Sequence, residues 1–177
     1  MPDTLEMQEY LESYVPDLVG KFLAEKPIPN MEDTTFTVQV TVEGEKSLTF
    51  GITIKNAREI SVHPGGLENP MLSVSLSEEI IARITREISH FTTRKQYDGV
   101  TNAKGTLTVE AAMPGDWVLP VTITFNGAAE PKATLRGPAE VMSKVMAGQI
   151  SGPEAFMQGQ IKFEGDMMFL MSLGSFL

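Results

Sequence analysis

A chain of 177 residues with 14 Lys and Arg against 23 Asp and Glu has the length of one ordinary domain and a net charge of −9, and can bury roughly 70% of the surface its unfolded form exposes. That charge works against collecting phosphates, so nucleic acid is not expected as a partner. The chain has no cysteine, which excludes disulfides, thiolate metal sites and a thiol nucleophile.

The opening residues MPDTLEMQEYLES are acidic and interrupted, without the basic and then apolar regions of a signal peptide. No run of about 20 apolar residues is present to span a bilayer, so a cytoplasmic protein is expected. An N-terminal helical segment is predicted over 3–25, where Leu11, Tyr14, Val15, Leu18, Val19 and Phe22 share one helical face and Pro16 divides it in two. After PIPN, Phe36, Val38, Val40 and Val42 alternate with Thr35, Thr37, Gln39 and Thr41, and Phe50, Ile52 and Ile54 alternate with Thr49, Gly51 and Thr53. Period-two alternation predicts two half-buried strands joined as a hairpin through Glu43 to Lys46. A third strand is expected near Ile60 to His63, before the turn residues HPGG, and a fourth over Met71 to Leu76.

From Ser75 or Ser77 the period changes. Ile80, Ile81, Ile84, Ile88 and Phe91 fall at helical spacing behind a Ser75, Glu78 capping pair, which predicts a helix lying on the sheet. The stretch TTRKQYDGVTNAKG lacks periodicity and carries turn signals at Asp98 and Gly99, so a long loop or an excursion is expected there. Strands resume in GTLTVEA, VLPVTITFNG and PKATLR. A helix is then predicted from Gly137 and Pro138 to Gly148, burying Val141, Met142, Val145 and Met146. The two halves share an order of two alternating strands, a shorter strand and an amphipathic helix, and TVEG at 41–44 echoes TVEA at 108–111. The offsets vary, and the sequence alone does not establish a duplication.

Little here serves catalysis. His63 and His90 are the two imidazoles available as a base, and neither stands in a nucleophile, zinc or phosphate-binding signature. No two imidazole or carboxylate groups fall at helical i, i+4 spacing beside an open third ligand, so neither a metal nor a cofactor is expected. Arg83, Arg86, Arg94 and Lys95 form a local basic cluster, whose two readings are a solvated helix face, the preferred one, and a patch that meets phospholipid head groups or an acyl carrier's phosphate. Methionine is the anomaly: Met142, Met146, Met157, Met167, Met168 and Met171 are six of the eleven, all near the C-terminus, joined by Phe156, Phe163, Phe169 and Phe176. Such side chains fill cores, and they also line surfaces that accept ligands of variable shape.

The order of residues in KATLRGPAEVMSKVMAGQISGPEAFMQGQIKFEGDMMFLMSL resembles the C-terminal half of the sterol carrier protein type 2 family, most closely over 132–173. Its specific part is MAGQISGPEAFMQGQIKFEGD, with Ala155, Phe156, Gln158, Gly159, Lys162, Gly165 and Asp166 at the family positions. The resemblance implies a single α+β domain over 1–177 with a five-stranded, mostly antiparallel sheet, covered by helices around a hydrophobic tunnel. It implies a non-catalytic carrier of a long apolar lipid such as a fatty acyl chain, acyl-CoA, an isoprenoid or a sterol-like molecule. The tunnel residues it implies are Trp117, Phe125, Met142, Met146, Phe156, Met157, Gln158, Ile161, Met168 and Met171, with Gln158 as the polar contact. Transient membrane contact and a homodimer are compatible with it. The alternative it leaves is an accessory or dimerisation module that presents a lipid intermediate to a partner enzyme. Two departures stand out: Gln160 occupies a position where Lys is common in the family, and the ending SFL lacks the basic residue of a peroxisomal address.

Overall fold

The computed structural model describes residues 9–25, 27–44, 47–77, 93–115, 117–146 and 149–176. The predicted helix around Ile80 to Phe91, with His90, Arg83 and Arg86, lies outside the described residues. The N-terminal segment is a π-helical turn, Tyr10–Tyr14, running into helix α1, Val15–Glu25. Pro16 lies at the junction of the two pieces, the second residue of α1 directly after the π-helical turn.

Eight strands among the described residues form one mixed sheet: β1 Thr35–Glu43, β2 Leu48–Lys55, β3 Glu59–Pro64, β4 Leu72–Ser77, β5 Gly105–Met113, β6 Trp117–Phe125, β7 Lys132–Pro138 and β8 Lys162–Gly165. Their spatial order is β3-β2-β1-β4-β6-β5-β7-β8. Two pairs, β1 with β4 and β5 with β7, are parallel, and the others are antiparallel. This corrects the expected five-stranded, mostly antiparallel sheet. β4 lies parallel to β1 and also pairs antiparallel with β6, from Leu72↔Phe125 to Ser75↔Thr122, so the strands of both halves fuse into one surface.

The register gives the sheet one apolar and one hydroxyl-rich face, because side chains alternate along each strand and partners share a side. Thr49, Thr41, Ser75, Thr122, Thr108 and Thr134 stand side by side from β2 to β7. On the opposite side, in-register pairs such as Val40↔Val74, Leu107↔Ile123 and Val109↔Leu135 build an aliphatic floor. The hydroxyl face is covered locally where the HPGG turn folds back, with Leu67 N–H donating to Gln39 Oε1 at 3.0 Å. The Leu67 side chain lies directly over Gly51, where any Cβ would collide with it.

Two buried clusters occupy the apolar face. The first gathers Val19 and Leu23 of α1 with Met31, Val42, Phe50, Ala57 and Leu76. The second gathers Val100, Leu107, Phe125, Ala133, Phe169, Leu173 and Phe176. Val100 belongs to helix α2, Arg94–Asn102, in the stretch expected to be a loop. A capping box explains the difference: the Thr93 hydroxyl accepts from Gln96 N–H, and Gln96 Oε1 accepts from Thr93 N–H at 2.9 Å. The far end is closed by Asn126, whose Nδ2 donates to the carbonyls of Val100 and Ala103 at 2.8 and 2.7 Å. Tyr97 adds a tilted ring contact with Phe36 at 6.4 Å.

Candidate functional site

The C-terminal third builds a corner of helix, strand and helix over β7. Helix α3, Ala139–Met146, starts one residue after β7 ends, so Pro138 closes the strand where the sequence predicts a helical start. Helix α4, Gly152–Met157, is capped by the Ser151 hydroxyl, which accepts from Glu154 N–H at 3.2 Å. Gly159 then takes a φ of +69°, and Gln160 N–H returns to the Ala155 carbonyl at 2.9 Å. This reversal lays Ile161 onto β7 at Gly137, where a Cβ would meet Ile161 Cγ2 at 2.9 Å. Ala155 and Ile161 are thereby buried.

β8 follows, and its Phe163 meets the Phe156 ring at a centroid distance of 4.5 Å. Asp166 opens the last helix, α5, Met167–Gly174, by accepting from Phe169 N–H at 2.8 Å. Helix α5 turns Phe169 and Leu173 into the second cluster, with Phe169 edge-on to Phe125 at 6.1 Å. Full burial of two such side chains contributes roughly 1.5–3 kcal/mol each. Met167, Met168 and Met171 occupy the outer side and remain exposed, Met168 at 77%.

The residues implied by the resemblance separate into three groups. Phe125, Met142 and Ile161 are buried. Trp117 is half-buried and packs with Leu119 against the first cluster, at the other end of β6 from Phe125. Phe156, Met157, Met168 and Met171 are exposed, Met157 at 85%. Gln158 is also exposed; it closes α4, and its Nε2 donates to Glu154 Oε1 at 3.2 Å. The side chain of Met146 lies outside the described residues. Phe156, Met157, Gln158 and Ile161 thus meet at the corner, whereas Trp117 does not join them.

An apolar row that the sequence reading did not single out runs from this corner across four strands: Phe163↔Leu135, Leu135↔Val109 and Val109↔Val121 are successive register partners. All four side chains are half-buried. With strands about 4.8 Å apart, the row extends roughly 14 Å. Period-two alternation sorts the side chains of a strand into two faces, but it carries no sign of which inner positions stay accessible.

The charges of these strands point away from the row. Arg136 Nε and Nη1 bond Glu110 Oε2 and Glu164 Oε2, each at 2.6 Å, on the hydroxyl-rich face. Both carboxylates hold the Arg136 guanidinium well above its ordinary range, Glu110 most strongly. His63, at the end of the strand expected near Ile60 to His63, lies in β3 with Nε2 3.2 Å from Thr53 Oγ1 on that same polar side. Arg94, the described member of the basic cluster with a partner, pairs with Asp98 at 2.9 Å and lies 5.7 Å from the Tyr97 ring. Among the described residues, no three His, Asp or Glu side chains come together to hold a metal ion, and no helix is long and apolar enough to cross a membrane.

A family model described as the SCP-2 sterol transfer family matches residues 88–177. No curated protein matches the chain. Similar solved structures include the sterol carrier protein 2-like 2 of Aedes aegypti, 19% identical at a TM-score of 0.36, covering 56% of this chain and 94% of that one. Another is the sterol carrier protein 2-like 3 of Aedes aegypti, 11% identical at a TM-score of 0.24, covering 92% of each chain. A third is a stereoselective inverting sec-alkylsulfatase from a Pseudomonas species, 12% identical at a TM-score of 0.22, covering 81% of this chain and 13% of that one.

Proposed function

This chain belongs to the SCP-2 sterol transfer family, and from that premise we propose that it binds a long apolar lipid without catalysis, on the row Phe163–Leu135–Val109–Val121, and exchanges it with membranes. The observation that carries this reading is the row itself: four in-register apolar side chains left half-buried, with the charges of their strands turned to the other face. Large aliphatic and aromatic residues on an inner face are normally buried outright. An acyl chain is the occupant whose chemistry matches walls that offer no hydrogen bond.

The corner is the mouth of the proposed tunnel. Phe156 and Met157 form its apolar lip, and Gln158 meets the ligand's polar end by exchanging its bond to Glu154 for one to the head group. The outer methionines of α5, flexible and uncharged, make the transient membrane contact. Transferring a chain of about sixteen carbons from water gains over ~10 kcal/mol at roughly 0.8 kcal/mol per methylene before ordering costs. A bilayer supplies nearly the same gain, so a ligand held this way exchanges with membranes close to equilibrium. A cytoplasmic carrier of fatty acyl or isoprenoid lipid is the version we favour.

The test is mass spectrometry of apolar material retained through purification, with hexadecanoic acid added where none is retained. Wild type should hold lipid, and Leu135→Phe, which fills the middle of the row, should hold less while its circular dichroism stays native. A folded wild type that binds neither cellular lipid nor added fatty acid refutes the reading.

A further inference from the structure

The N-terminal half of the sheet repeats the construction of the C-terminal half strand for strand. β1 forms a hairpin with β2 and pairs in parallel with β4; β5 forms a hairpin with β6 and pairs in parallel with β7. The registers correspond: Val38↔Ile52 matches Leu107↔Ile123, Val40↔Phe50 matches Val109↔Val121, and Val42↔Leu48 matches Ala111↔Leu119. The parallel partners agree as well, since Val40↔Val74 matches Val109↔Leu135. Even the outer neighbour is equivalent, because β3 pairs antiparallel with β2 as β4 does with β6. Varying loop lengths had hidden this duplication from a constant-offset comparison of the sequence.

Burial follows the same pattern at most matching places, the exceptions being Phe50, buried where Val121 is half-buried, and Val38, half-buried where Leu107 is buried. Val40, Ile52 and Val74 are half-buried in the first half, as are Val109, Ile123 and Leu135 at the matching places in the second. Each floor has its own buried cluster and its own helical cover, α1 through Val19 and Leu23 for the first and α5 through Phe169 and Leu173 for the second. The inner face of β1 to β4 carries Val, Ile, Leu, Phe and Pro and no charged side chain. Ile54, Ile60 and Val62 extend this half-buried fringe to the outer strands. The family match begins at residue 88 and leaves this half unassigned.

We propose that the first half holds a second binding site, for a second molecule of the same class of ligand, a long unbranched acyl chain, on the floor Val40, Ile52 and Val74. The inference rests on the reading of the C-terminal row as a lipid site. The floor is continuous, Val74 pairing in register with Ile123, but its two ends lie under different buried clusters and different helical covers, which makes two sites. An uncharged, β-branched floor without a free polar group excludes an anionic or hydrogen-bonding occupant and suits a methylene chain. Trp117, the single tryptophan of the chain, packs against the first cluster and reports on this second site alone.

Native mass spectrometry with hexadecanoic acid counts the ligands, and quenching of Trp117 by a bromine-labelled fatty acid locates them. Two molecules per chain are expected. Ile52→Phe should lower the count to one and abolish the quenching; Leu135→Phe should lower it to one and leave the quenching intact. Circular dichroism checks each fold, and Val40→Phe stands in should Ile52→Phe misfold. A wild type that takes up one molecule, lost in Leu135→Phe and unaffected by Ile52→Phe or Val40→Phe, overturns the second site and keeps the first. A wild type that binds none overturns both.

Discussion

Replacing Asn126 by Asp tests how the short helix α2 is held over the second cluster. Asn126 has a φ of +48°, a conformation that Asn and Asp both tolerate, so the substitution leaves the turn's backbone preference nearly unchanged. What changes is the donor. Nδ2 of Asn126 bonds the Val100 and Ala103 carbonyls at 2.8 and 2.7 Å, with the Thr101 carbonyl at 3.4 Å. A carboxylate brings two acceptors to face three others, with no proton to share. Each lost bond is worth about 1 kcal/mol, and water reaches this exposed end of the helix, so the destabilisation should be about 1–2 kcal/mol. For a domain of this size that corresponds to a melting temperature lower by roughly 2–8 °C. Urea unfolding gives the free energy, and amide exchange should show α2 opening first, since the lost bonds close its last turn. Asn126→Asp unfolding within about 0.3 kcal/mol of wild type, with unchanged protection of α2, would refute the claim that this side chain fastens the helix.

Gly99→Ala puts a methyl group where the Phe176 ring now lies; overpacking of this kind costs about 1–3 kcal/mol, measurable by thermal melting, and Phe176→Leu should recover part of it. Asp166→Ala removes the acceptor for Phe169 N–H and should cost about 1 kcal/mol, whereas Asp166→Asn or Asp166→Ser should cost less. The Glu140 carboxyl, bonded to Lys144 Nζ at 2.6 Å, titrates below the ordinary carboxylate range because of that bond and the lysine's charge. Because the folded value is depressed, its stabilising contribution is present above the unfolded value and fades as pH falls through the folded one. NMR titration should show the low value, and Lys144→Met should return it to the ordinary range.

The hairpins were legible because their alternation is strict. TFTVQVTVE and LTFGITIK assign every side chain to a face with no knowledge of the partner, and the structure pairs them as predicted from Thr35↔Lys55 to Val42↔Leu48. The Gly159, Gly165 and Asp166 corner was legible too, because positive φ and N-capping are carried by single residue types. Helix α2 was missed for the converse reason. It has Tyr97 and Val100 as its large apolar residues, and its identity lies in the Thr93, Gln96 box and in a side chain of Asn126 from a distant turn. The place of β4 was not legible at all, since a strand's period fixes which side faces inward and says nothing of which two strands will flank it.

The fusion of the halves through β4 has a physical logic of its own. Alone, the hairpin β5–β6 with β7 and β8 would leave the β6 edge open, a row of unpaired N–H and C=O groups inviting other chains. β4 closes that edge over its register with β6 while remaining the parallel partner of β1, so a single strand completes both halves. The cost is that neither half is closed without the other, and the benefit is an aliphatic floor that continues across the seam. A short-period sheet signal therefore appears twice in the sequence, yet the structure has one sheet. The methionine-rich stretch fits the same picture: Phe169 and Leu173 belong to the core, and only the opposite side of that helix, with Met167, Met168 and Met171, is surface. Composition left these residues open between core and ligand-lining surface. In the structure Met167, Met168 and Met171 are exposed, while valine, leucine and phenylalanine of the sheet's apolar face, whose ordinary alternation reads as core, are partly left half-buried.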